Sequence, residues 1–212
     1  MADPLSLSTY AIKREMKFGG LTLDFMDGEG NQVLKSEGRM AVTQQPIASM
    51  DGTILATITH KLLAMTPEYD IHEGGKDGKV LSVLKVPMQL LSSMTLGDVD
   101  IKDEGGNLIA KANGNFLGME FEIRDAKGTS VASVTRNLGT NPGLLSKFAA
   151  FASNSYVMNI KDDKTVSTLV LLGFLVVLEL LISKGQASNP GLIGGGVGGF
   201  GGMGSGGFGI KL

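Results

Sequence analysis

Residues 165–183 read TVSTLVLLGFLVVLELLIS, the most apolar run in the chain. Either this run crosses a membrane or it forms the core of a folded domain. At 1.5 Å per residue, a helix over Val166–Ile182 is about 26 Å long, at the short end of what spans a ~30 Å hydrocarbon core. Glu179 lies near one end, where it could snorkel. Trp is absent and no Tyr flanks the run, so an aromatic belt is missing. Asp162 or Asp163 is a candidate N-cap, and Lys184-Gly185 a candidate stop. By hydropathy alone, span and core are both open.

Upstream, residues 9–161 have a strand rhythm. Runs rich in Val, Ile, Leu, Thr and Phe alternate with polar positions and are separated by Asp/Gly turns. Such turns occur in FMDGEGNQV (25–33), SMDGTIL (49–55), GGKDGKV (74–80), IKDEGGNLI (101–109) and IRDAKGTSV (123–131). Gly supplies positive φ, and an Asp carboxylate can bond the backbone of its own turn, so each reads as a hairpin loop. Asp27, Asp51, Asp77, Asp103 and Asp125 recur at a spacing that suits two strands and two turns per unit. The expectation is twelve strands, near 9–15, 19–26, 31–37, 39–45, 54–60, 67–73, 79–86, 94–102, 107–112, 116–124, 129–136 and 155–161.

The halves resemble each other. LTLDFMDGEGNQVLKSEG (21–38) lines up with GDVDIKDEGGNLIAKANG (97–114). This predicts a duplicated six-strand unit, near 9–86 and 94–161, joined by PMQLLSS (87–93). Residues 137–154 interrupt the last hairpin, with a short helix expected over 143–151.

A meander of twelve strands must manage its edges, and closure into a barrel removes them. At ~4.8 Å strand spacing and ~40° tilt, twelve strands close at a backbone radius of about 12 Å. Inward side chains then leave a lumen of roughly 6–7 Å radius, which an α-helix of ~10–12 Å diameter fills. A helix enclosed by strands should be apolar on every side, and this run is. The fold expected is mainly β: a closed barrel of about twelve strands, two six-strand repeats, around a hydrophobic C-terminal α-helix at 163–183. The expected layout is a flexible N-terminus (1–8), the barrel domain (9–184) and a disordered Gly-rich tail (185–212).

This plan resembles that of the tubby C-terminal-like superfamily, which includes the phospholipid scramblases, and most of all its LURP-one-related group. The likeness is carried by TYAIKRE (9–15), 21–38, ASMDGTILATITHK (48–61) and SYVMNIKDDKTVSTLVLLGFLVVLELL (155–181). It implies a non-enzymatic module that binds a partner or a membrane surface, with phosphoinositide as a candidate ligand. The alternative is a scramblase-like or single-pass membrane protein anchored by residues 165–183. The cysteine cluster and Pro-rich N-terminal region of scramblases are missing. A further alternative, an enzyme or carrier for an apolar ligand, has a filled lumen against it.

Composition narrows the chemistry. Hydrophobic residues make up 42% of the chain and charged residues 19%, ordinary for a folded protein, and the net charge of −2 does not suit a nucleic-acid binder. Cysteine is absent, which excludes disulfides, thiol catalysis and thiolate metal sites. The N-terminus, MADPLSLSTY, lacks a secretory pattern, so the expectation is a cytoplasmic protein, free or membrane-associated. His60 and His72 have no partner near in sequence and read as structural or solvent-facing. The acidic turns fail the spacing of an EF-hand loop. No cofactor or metal is expected. In the tail, eleven of the sixteen residues 194–209 are Gly, and the G-x-G-x-x-G matches there have no strand before or helix after them. The basic cluster KREMK supplies Lys13, Arg14 and Lys17 as candidate headgroup ligands, against the plainer reading of a solvated strand face.

Overall fold

A computed structural model describes residues 3–17, 20–39, 43–61, 64, 66–87, 96–115, 120–135 and 155–188. The Asp/Gly turns act as hairpin corners. Asp27 Oδ1 accepts hydrogen bonds from the Glu29 and Asn31 amides at 2.8 and 2.9 Å, and Asn31 Nδ2 donates to Oδ2 at 3.0 Å. Asp103 repeats the arrangement with the Asn107 amide and Nδ2, at 2.8 and 2.9 Å. Each turn closes on a glycine with positive φ, 91° at Gly30 and 84° at Gly106. A register shift precedes each, at Phe25/Met26 and Ile101/Lys102. Such a bulge lets a short loop match the twist of its strands. The two turns expected to be copies are therefore built alike, hydrogen bond for hydrogen bond.

Between the corners run twelve strands: β1 (Thr9–Lys17), β2 (Gly20–Met26), β3 (Gln32–Arg39), β4 (Gln44–Ser49), β5 (Ile54–Lys61) and β6 (Glu68–Glu73), then β7 (Val80–Lys85), β8 (Leu96–Lys102), β9 (Leu108–Asn115), β10 (Glu120–Asp125), β11 (Ser130–Thr135) and β12 (Ser155–Ile160). Each pairs antiparallel with its sequence neighbours, and β1 also pairs β12, from Thr9↔Asn159 to Lys13↔Ser155. The sheet is a closed barrel without an edge strand. β4 lies at 44–49 rather than the expected 39–45. Pro46, which has no N–H to donate, is accommodated within β4 because the ladder to β3 ends at Ser36↔Ile47, just short of it. The expected helix over 143–151, most of the joint at 87–93 and the tail beyond 188 lie outside the described residues.

The helix α1 (Thr168–Ser188) fills the lumen. From Val170 to Ser183 no side chain is more than 8% exposed, and Phe174, Leu175 and Leu178 are fully buried. The ring of Phe174 meets Phe121 of β10 edge to face at 5.8 Å. The helix lies nearest to β5, β6 and β7. Gly173 permits that approach, since a Cβ there would sit 2.4 Å from Ile71 Cδ1.

Two helix-end expectations are corrected. The N-cap is Ser167, whose Oγ accepts from the Val170 amide, while Asp162 caps a preceding turn through Lys164 N and Thr165 Oγ1. The helix also runs past Lys184-Gly185 to Ser188, since a single glycine costs a helix only about 1 kcal/mol and does not by itself end one. Ahead of β1, Leu5 and Leu7 pack against the core, and Tyr10 donates to the Pro4 carbonyl at 2.6 Å.

Candidate functional site: a buried ion pair and a cationic rim

β1 sorts the basic cluster by parity. Tyr10 and Ile12 point into the lumen, and Arg14 follows them. Its Nε lies 2.8 Å from Glu179 Oε2 of α1, with the two side chains 16% and 3% exposed. Arg14 Nη2 also donates to Ser183 Oγ at 3.1 Å and to the sulfur of Met16. Tyr156, fully enclosed, stands beside the pair. Its phenol pKa is pushed well above the usual value, first by burial and then by the Glu179 carboxylate. Three elements, β1, β12 and α1, thus meet at the β1/β12 seam, where the barrel closes on its helix.

Lys13 takes the opposite face of β1. It pairs with Glu15 at 2.6 Å on the outer wall. Register places Lys13, Asp24 and Lys35 in one row across β1, β2 and β3. Lys35 pairs with Glu37 at 2.5 Å, and Gln32 Nε2 donates to Asp24 at 2.8 Å. An open depression of about 340 Å³ lies over these residues. Its charged lining is Glu15, Asp24, Glu37 and Lys35, an acidic excess that does not suit an anionic headgroup. Lys17 is the last residue of β1, opposite Gly20. The three candidate headgroup ligands therefore occupy a lumen, a wall and a rim, and Lys13 and Arg14 do not converge.

The rim holds a pattern that the cluster conceals. In an up-and-down barrel, odd-numbered strands run toward one end and even-numbered strands toward the other. β1, β3, β5 and β7 end on Lys17, Arg39, Lys61 and Lys85, all at the same end. The helix also runs toward that end, since Glu179 late in α1 meets Arg14 late in β1. Lys61 and Lys85 are 44% and 51% exposed and share Glu68, at 2.6 and 3.4 Å; Lys61 also reaches Asp70 at 2.9 Å. The hydrogen bond from Lys61 holds the Glu68 carboxyl below its usual value. The sequence signal for this rim is a cation at the end of the first four odd-numbered strands, β9 and β11 ending instead on Asn115 and Thr135, and it is legible only once strand directions are known.

The remaining candidates have structural surroundings. His60 stacks on Tyr69 at 4.7 Å, and His72 sits between Thr59 Oγ1 and the Gly78 carbonyl. Among the described residues, no group of three or more His, Asp or Glu side chains could hold a metal ion. Among those residues, too, no helix is long and apolar enough to cross a membrane.

Comparison with known proteins agrees with this architecture. Among proteins of curated function, none matches. A protein from Arabidopsis thaliana of known X-ray structure shares the fold, with a TM-score of 0.56 and 14% identity over 84% of this chain and 94% of that one. The LURP-one-related family matches residues 8–179, nearly the whole barrel and most of its helix, and the chain belongs to that family.

Proposed function

We propose that this protein is a non-enzymatic barrel module that docks on an anionic surface, the phosphate-bearing face of a membrane leaflet, through the rim of Lys17, Arg39, Lys61 and Lys85. The observation that carries the reading is the ending of four alternate strands on a cation at one end of the barrel. The sequence at that end supports it. The segments joining strands there (18–19, 40–43, 62–67, 86–95, 116–119 and 136–154) contain no Asp or Glu. The turns at the opposite end carry both signs with an acidic excess, Asp27, Glu29, Asp51, Asp77, Asp103 and Glu104 set against Lys76, Lys79 and Lys127. A barrel with one acidic end and one cationic end orients itself in the field of an anionic leaflet. Each cation near such a surface contributes about 1 kcal/mol at most, and Lys61 and Lys85 already share Glu68, so the rim gives weak, salt-sensitive attachment rather than an anchor. Phosphoinositide headgroups, with several phosphates each, are the strongest lipid ligands of this chemistry.

The test is flotation of the full chain with neutral vesicles and with vesicles carrying phosphatidylserine or a phosphoinositide. Binding should require the anionic lipid and weaken with salt. Replacing Lys17, Arg39, Lys61 and Lys85 by Gln should abolish it. Replacing Lys76, Lys79, Lys127 and Lys164 at the opposite end, an equal change of charge, should leave it intact. Equal loss in both sets, or binding to neutral vesicles, contradicts the reading. The alternative of a single-pass anchor at 165–183 is disfavoured by the burial of that segment.

A further inference from the structure

Methionine 16 joins the buried ion pair to solvent. It lies on the lumen face of β1 two residues beyond Arg14, and it is 45% exposed. Its sulfur accepts from Arg14 Nη2 and lies 3.9 Å from Ser183 Oγ of α1. The guanidinium that donates to this sulfur also holds Glu179 at 2.8 Å. An accessible thioether is thus in direct contact with the one ion pair, among the described residues, that ties the barrel wall to its central helix. Met50 is more exposed, at 57%, but it sits on the β4–β5 turn and lines the outer wall beside Glu15 and Lys35 rather than the lumen that holds the pair. Met26 and Met158 are buried, at 7% and 0%.

We propose that Met16 is an oxidation site whose modification loosens the upper half of the central helix, with a hydroperoxide as the oxidant. The peroxide transfers one oxygen to the sulfur. An S–O bond forms, the O–O bond breaks, sulfur loses two electrons, and the peroxide leaves as water or an alcohol. The product sulfoxide is polar and its oxygen is a far better acceptor than the thioether. That oxygen draws the Arg14 guanidinium toward itself and away from Glu179. Glu179 is then left with a weakened partner in an apolar lumen, where an underpaired carboxylate is costly. The chain has no cysteine, so methionine sulfur is its sulfur chemistry toward peroxides.

The experiment treats the full chain with dilute hydrogen peroxide and reads two quantities. Peptide mass spectrometry should find the one-oxygen adduct on Met16 and Met50 well before Met26 and Met158. Amide exchange at residues 175–183 should rise roughly tenfold in the oxidised protein, the worth of about one charge-assisted hydrogen bond. A Met16→Leu chain given the same treatment should show no such rise, whatever happens to its other methionines, and a Met50→Leu chain should show it in full. Methionine sulfoxide reductase should reverse the change. Met16 oxidising no faster than Met158, or a rise that persists in Met16→Leu, overturns the proposal.

Discussion

Arg14 of β1 and Glu179 of α1 form a 2.8 Å ion pair inside a lumen that is otherwise almost wholly apolar. Burying two charges is expensive, and their attraction roughly offsets the cost rather than exceeding it. A helix apolar on every face has little to fix its rotation or depth, so the pair's contribution is to select one seating. Arg14→Leu or Glu179→Leu alone should destabilise the protein by about 3–5 kcal/mol, by leaving an unpaired buried charge. The double variant Arg14→Leu/Glu179→Leu should recover most of that loss. Denaturant unfolding of the three variants measures the coupling, and additive losses would contradict the account.

Gly173 sets how closely the helix approaches β6. Alanine in a helix interior ordinarily gains about 1 kcal/mol over glycine. Here a Cβ would meet Ile71 Cδ1 at 2.4 Å, and overpacking a tight core costs about 1–3 kcal/mol. Gly173→Ala should therefore lower stability despite its better propensity. Ile71→Val removes the nearest atom and should rescue part of the loss in the double variant. A stabilising Gly173→Ala would show the helix lying farther from the wall.

The turn aspartates make stability pH-dependent. Ser49 Oγ and the Thr53 amide donate to Asp51 and hold its carboxyl at about 2, against an ordinary 3.8. Asp103 is lowered by the side chain and amide of Asn107. A carboxyl with a depressed folded pKa stabilises the fold only while ionised. Its contribution is full above the unfolded value and is lost as pH falls through the folded one. Stability should hold level above about pH 5 and decline between about pH 4 and about pH 2. Asp51→Ala should lower the plateau and flatten the decline; a curve parallel to the parent's would argue against this origin.

The strand count was legible because turn chemistry is local: an Asp that caps its own backbone and a Gly with positive φ identify a corner from the sequence alone. β4 starts at Gln44, five residues later than its expected 39, because no Asp/Gly turn marks a corner between β3 and β4 in the sequence. The helix was legible as lumen filling from its all-round apolarity and the barrel's radius. Its ends are not, because Asp162 and Ser167 are equally good caps in sequence and a glycine such as Gly185 is a weak stop signal. The Arg14–Glu179 pair escaped notice because it depends on strand parity and helix rotation together. KREMK looked like one basic patch, whereas alternation divides Lys13 from Arg14.

The central claim, that residues 165–183 form the core of a water-stable barrel, is tested most directly by amide exchange of the full chain in buffer without detergent. Core amides exchange only when the whole fold opens. The account predicts that amides from Val170 to Ile182 exchange as slowly as those of Leu23, Ile58 and Ile123, with the same free energy as global unfolding. Rapid exchange of the helix while those strands stay protected would mean a barrel that stands without its helix, and would contradict it.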